Sequence, residues 1–128
     1  MAAVAGAAIR SPIEIRLLAD PTRLSLADRD RFRLSIAATN LTDDAVDPQL
    51  YAARLLVNGE PSPAFDLALN GVMPAAWDVL PARETSPLVE LPLGAALFPE
   101  PGEYLLVLRV EVPEWDPVEA SQTVVVTP

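Results

Sequence analysis

From Tyr104 to Val112 every second residue is large and apolar: Tyr104, Leu106, Leu108, Val110 and Val112. Only an extended backbone sends residues i, i+2 and i+4 to one side. The segment therefore predicts a strand with one buried face, and with Leu105, Val107, Arg109 and Glu111 on the other. Arg31 to Thr39 repeats the pattern, with Phe32, Leu34, Ile36 and Ala38 on one face and Arg31, Arg33, Ser35 and Thr39 on the other. A shorter alternation, Ile13 to Leu18, ends at Asp20-Pro21 and reads as a first or edge strand. Fourteen prolines and five glycines are spread along the chain without clustering. Proline removes a backbone donor and breaks helix interiors, so this spacing favours many short strands over long helices.

The remaining elements follow from the same signals. Leu50–Val57, Ala76–Leu80, Leu88–Leu91 and Gln122–Thr127 read as strands. Asn40 to Pro48 is rich in side chains that bond their own backbone, so the chain should reverse there. Asn58-Gly59 predicts a type I′ turn, whose central residues both need positive φ. Phe65–Leu69 is either a short strand or a helical turn, because so short an apolar run has no decisive period. No segment is long enough for a βαβ crossover. The expectation is an all-β fold, an antiparallel β-sandwich of seven to eight strands.

At 128 residues, the chain is expected to form one domain, residues 12–128, after a disordered N-terminal arm, residues 1–11. Met1 to Ile9 is apolar but too short to span a membrane. It lacks the basic residues of an export signal, with a truncated signal as the alternative. All nine cations are Arg, and Lys, His and Cys are absent. The side chains therefore offer no imidazole base, thiolate or amine nucleophile, and the serines have no ordinary general base. Carboxylate pairs could still hydrolyse glycosides, but the acids fall mainly in turns or on outward strand positions. The glycines are isolated, which excludes phosphate-loop and dinucleotide fingerprints. The chain reads as a non-enzyme without cofactor. Its net charge of −9 repels phosphate backbones, so no nucleic-acid partner is expected. Absence of Cys fits a cytoplasmic protein, with export as the alternative.

Several residues stand out as candidate sites. Asp43, Asp44 and Asp47 could hold Ca²⁺, against the plainer reading of a structural turn. Glu114, Trp115 and Asp116 lie between Pro113 and Pro117, a stiff acidic connection lifting an aromatic anchor. This is the preferred contact, with Asn58 and Gly59 as a lesser one. The alternative for Trp115 is a lid over the end of the core, and Trp77 reads as core. Arg23, Arg29, Arg31 and Arg33 form a basic stripe that either receives an acidic partner or pairs across strands with Glu14, Glu84 or Glu90. Asn40-Leu41-Thr42 matches a glycosylation acceptor.

Leu97-Phe98-Pro99-Glu100-Pro101-Gly102-Glu103-Tyr104 resembles the corner between strands E and F of immunoglobulin-like and fibronectin type III-like sandwiches. The resemblance implies that Tyr104 is a corner tyrosine whose hydroxyl bonds upstream backbone. Asn40 to Val46, with the Pro-Gly-Glu-Tyr segment, is similar to the bacterial intracellular proteinase inhibitor family, which are small cytoplasmic immunoglobulin-like domains. The functional expectation is a protein-binding or assembly module that uses end loops or a strand edge. The alternatives are a proteinase inhibitor, a structural subunit of a particle or secretion assembly, and a glycan-binding sandwich. A protein partner is expected, and self-association is left open.

Overall fold

The computed structural model of the protein describes residues 10–71 and 79–128. Residues 1–9 of the expected arm, Trp77, and most of the expected strand Ala76–Leu80 lie outside the described residues. Eight strands form two sheets: β1 (Ile13–Asp20), β2 (Arg23–Ser25), β3 (Arg33–Asn40), β4 (Ala53–Val57), β5 (Glu60–Pro61), β6 (Val89–Leu91), β7 (Gly102–Val112) and β8 (Trp115–Thr127). The smaller sheet has the order β1-β3-β6 and the larger β2-β8-β7-β4-β5. The result is an all-β sandwich. Two short helices, α1 (Pro63–Gly71) and α2 (Gly94–Leu97), interrupt it. No helix of the described residues is long and apolar enough to cross a membrane.

The period-two segments fold as their patterns dictate. β1 alternates buried and exposed along its length, and β7 buries Tyr104, Leu106, Leu108, Val110 and Val112. Phe32, Leu34, Ile36 and Ala38 have no exposed surface. Phe32, Phe98 and Tyr104 stack edge to face with ring centroids 4.9 Å apart at each step. The Tyr104 hydroxyl donates to the Glu100 carbonyl at 2.5 Å, so the ring stays in the core while its polar tip is satisfied. Asn58 and Gly59 have φ of 50° and 86°, as a type I′ turn requires.

Three segments differ from the sequence reading. The ambiguous Phe65–Leu69 belongs to α1, and Phe65 and Leu69 are both buried in the shared core. β3 begins at Arg33 rather than Arg31, because Leu26–Arg31 winds into a 3₁₀ turn. Ser25 Oγ donates to Asp28 Oδ2 at 2.9 Å and Arg29 Nε to the Leu26 carbonyl at 3.0 Å, local bonds that compete with the extended chain. Beyond the first strand and its Asp20-Pro21 break lies β2, which the sequence reading did not include. β1 pairs antiparallel with β3, then the chain crosses at Asp20-Pro21 and β2 pairs parallel with β8. The sandwich is therefore not wholly antiparallel.

Candidate binding surfaces: the hairpin end and the β1 edge

The connection between β7 and β8 is shorter than its prolines suggest. Pro113 and Glu114 alone form the turn, and Trp115 opens β8 opposite Val112. Trp115 is half-buried against the core, which is the lid arrangement rather than a displayed anchor. Its Nε1 is buried without a hydrogen-bond partner. Glu114 faces a neighbouring loop instead. Gln49 Nε2 donates to Glu114 at 3.2 Å, Tyr51 Oη to Gln49 Oε1 at 3.2 Å, and Gln49 N–H to Asp47 Oδ1 at 2.9 Å. Partial desolvation, then the Asp47 and Glu114 charges, push the Tyr51 phenol above its ordinary value. This end of the sandwich is an exposed, acidic, hydrogen-bonded rim.

Trp115→Ala is accordingly expected to cost about 1–2 kcal/mol of stability, below a full Trp deletion because the ring is only half-buried. Trp115→Phe keeps the packing and removes the orphan donor, so it should match or exceed wild type. Urea unfolding of both variants checks the pair, and a neutral Trp115→Ala would return Trp115 to the surface.

Asn58 and Gly59 lie at the opposite end. Asn58 Oδ1 accepts from Leu105 N–H at 2.8 Å and Nδ2 donates to the Glu103 carbonyl at 3.3 Å, so its side chain binds the start of β7. Leu105 and Val112, the last residue before the Pro113–Glu114 turn, are separated along β7 by roughly 23 Å. The two predicted contact regions do not form one surface.

The acidic loop is also committed locally. Arg83 Nε donates to Asp43 Oδ1 at 2.9 Å, a bond that holds the Asp43 carboxyl below its usual range. Asp47 caps Gln49. Asp43, Asp44 and Asp47 do not converge, and no group of His, Cys, Asp or Glu that could hold a metal occurs among the described residues. The loop's organiser is Asn40, at 1% exposure. Its Nδ2 faces the carbonyls of Asp44, Leu80 and Pro81, and its Oδ1 accepts from the Thr42 N–H and hydroxyl. An amide so enclosed is a structural bolt, not a glycosylation acceptor.

The basic stripe is dispersed. Arg29 is partly buried and donates to the Phe98 carbonyl at 2.9 Å, joining the 3₁₀ turn to α2. Arg31 approaches Asp28 at 4.0 Å, and Arg33 donates to the Asp30 and Phe32 carbonyls. None of Arg23, Arg29, Arg31 or Arg33 pairs with Glu14, Glu84 or Glu90 among the described residues. On the outer face of the larger sheet, Arg54 stands opposite Arg109. Arg109 is neutralised by Glu119 and Glu111, whose hydrogen bonds raise its pKa, while Arg54 lies 3.8 Å from Asp66.

The β1 edge is the second surface. Leu41 N–H donates to the Pro12 carbonyl at 2.8 Å, and the two residues continue the register that pairs Ile13 with Asn40. Opposed residues in an antiparallel ladder alternate between bonded and non-bonded pairs. Even-numbered residues of β1 therefore bond β3. The N–H and C=O groups of Ile13, Ile15, Leu17 and Ala19 point to the open edge. Ser11 Oγ occupies the first of these, donating to the Ile13 carbonyl at 3.0 Å and accepting from its N–H at 3.1 Å. β1 has eight residues, while the other edge strands, β6, β2 and β5, have three, three and two. Residues 115–124 of β8 are also open on the side away from β7, since β2 covers only Val125–Thr127, but Pro117 and the register shift between Val110 and Val112 interrupt that stretch, whereas β1 has neither proline nor bulge within the strand to blunt it. A groove of about 260 Å³ runs beside it, lined by Ile13, Glu14, Ile15, Leu41, Val118 and Glu119 among others. The sequence signal was present in an alternation unbroken by proline, but only the sheet order reveals which side of β1 is bare.

No family model, curated protein or solved structure matches this chain.

Proposed function

We propose that the protein is a non-catalytic, immunoglobulin-like binding or assembly module that takes up a protein partner by strand addition along β1. The bare row of N–H and C=O groups on β1 carries this reading. Such a row binds an extended segment through main-chain hydrogen bonds, with flanking pockets supplying side-chain preference. The immunoglobulin-like assignment is supported by the crossing from β1 in one sheet to β2 in the other and by the Tyr104 bond to Glu100 before β7.

The rival readings have less support. The cleft of about 340 Å³ between the Asn58 turn and α2 has one carboxylate, Glu60, on its walls, short of the pair needed for glycoside hydrolysis. The three phenylalanines are fully buried and Tyr104 nearly so, which leaves few aromatic faces for a sugar among the described residues. The Pro113–Glu114 tip is too short a projection to fill a protease cleft as an inhibitory loop.

Ala19→Pro tests the reading. The Ala19 N–H faces the open edge, so proline there removes no bond to β3 while blocking an incoming strand. Wild-type protein should capture a defined partner from source-cell extract, and Ala19→Pro should lose it at unchanged folding. Equal capture by both would move the contact away from β1, and no capture by a wild-type chain that is itself monomeric would remove the module reading.

A further inference from the structure

Three of the four outward side chains of β1, Glu14, Arg16 and Asp20, are charged, and together with Arg10 ahead of the strand they enter no ion pair among the described residues. Leu18 and Leu41 beside them are 38% and 42% exposed. These residues are ordered as if to meet their own reverse.

We propose that β1 pairs antiparallel with β1 of a second copy of this chain, about a two-fold axis through Ile15. The inference rests on the reading of β1 as the binding edge and names its partner. With Ile15 opposite itself, Glu14 stands opposite the partner's Arg16, and extension of the strand through residues 10–12 brings Arg10 opposite the partner's Asp20, each twice. All four outward charges meet the opposite sign. The backbone phase agrees. Ile15 exchanges bonds with the partner's Ile15, and Ile13 with the partner's Leu17, all from odd-numbered residues whose polar groups face the edge. The Ser11 bonds to Ile13 are exchanged for ladder bonds. Pro12 does not interfere, because its nitrogen faces β3.

The apolar residues fall into line as well. The partner's Leu18 lands opposite Pro12, which already stands opposite Leu41 in the β1–β3 ladder. The two exposed leucines and the proline become one continuous row across the joined sheets. Inward residues remain inward, so the smaller sheets of two copies merge into one sheet of six strands.

Other registers are poorer. Shifting the axis to residue 14 or 16 sets Glu14 against Glu14 or Arg16 against Arg16, and shifting it to Leu17 sets Glu14 against Asp20. Centring on Leu18 pairs Arg16 with Asp20 but leaves Glu14 out and brings Pro21, which has no N–H, into the bonded row.

Sedimentation equilibrium on the purified chain tests the proposal. Wild type is expected at twice the 13.7 kDa of one chain. A single-chain mass at high micromolar concentration overturns it. Glu14→Arg and Arg16→Glu each create two like-charge pairs and should weaken association at least about tenfold. Mixed in equal amounts the two variants complement each other, so a mixed dimer should form where neither forms alone. The double variant E14R/R16E should also recover. Both side chains are exposed, so unchanged circular dichroism establishes that folding is intact. Association indifferent to Glu14→Arg would place the contact elsewhere, or on the register centred on Leu18, and would also overturn the proposal. Capture through the edge, read with Ala19→Pro, is a separate measurement. A monomeric chain that still captures a partner through β1 removes the second-copy inference alone, and one that captures nothing removes both.

Discussion

Gly94→Ala is expected to lower the unfolding free energy by about 3 kcal/mol, at the upper end of what overpacking usually costs. A Cβ at this position would stand 1.9 Å from the Arg29 carbonyl oxygen, 2.9 Å from its carbon and 3.0 Å from Phe32 Cβ. The obstacle is backbone and it is anchored. The Arg29 carbonyl accepts from Phe32 N–H at 3.2 Å, and the Arg29 guanidinium is tied to the Leu26 and Phe98 carbonyls. α2 must therefore withdraw, drawing Leu97 and Phe98 away from a core in which they are 3% and 0% exposed. Gly71→Ala, where the added atom meets nothing within 4 Å, is the control and should be neutral or stabilising. The measurement is the urea midpoint at constant slope. A Gly94→Ala midpoint equal to wild type would mean that α2 does not press on the 3₁₀ turn.

Asn40→Ala should cost about 2 kcal/mol, since it removes a buried amide that makes five hydrogen bonds and leaves the Thr42 N–H without its acceptor. Three carbonyls lose one of their donors and the Thr42 N–H loses its acceptor, while the backbone bridge between Val46 and Leu80 still holds the loop 41–47. Asn40→Asp sharpens the test, because the shape is kept while the donating amide becomes an acceptor aimed at carbonyl oxygens. Burial and those oxygens should raise the new carboxyl's pKa above its unfolded value, so the neutral form is the one the fold accepts. With the folded pKa above the unfolded one, the native state holds more protons between them, and stability rises as pH falls through that window. Wild type has no such feature at this position. Thermal unfolding of Asn40→Asp from neutral pH downward should show a relative recovery, and its absence would argue that the amide is not the donor in these contacts.

The two-sheet fold was legible where a single period carried it. β7 and β1 could be read residue by residue, because alternation fixes which side faces the core, and the Asn58-Gly59 turn because few residue pairs accept positive φ twice. What escaped depends on residues distant in the chain or on prolines with two meanings. Asn40 looked like part of a polar turn, since its partners Leu80 and Pro81 lie 40 and 41 residues further on. Pro113 and Pro117 suggested a loop holding Trp115. Pro117 is instead a strand residue, beside the irregularity between Val110 and Val112 where the ladder assigns it no opposing residue. The arginine stripe dissolved because four closely spaced guanidinium groups were divided among β2, a 3₁₀ turn and the start of β3. Composition narrowed the chemistry, but the candidate edge needed the order of strands in the sheet.

The crossing from β1 to β2 also bears on synthesis. Residues 23–25 pair with residues 125–127, so β2 joins the larger sheet through residues made about a hundred positions later. β1 has its partner, β3, early; β2 has none until β8 is made. At about 5–20 residues per second of translation, Leu24 waits several seconds with its apolar side chain outside any finished core. The closing of this sandwich is thus timed by the arrival of β8 from the ribosome, and an arrest anywhere before β8 would hold the nascent domain as a half-built sheet.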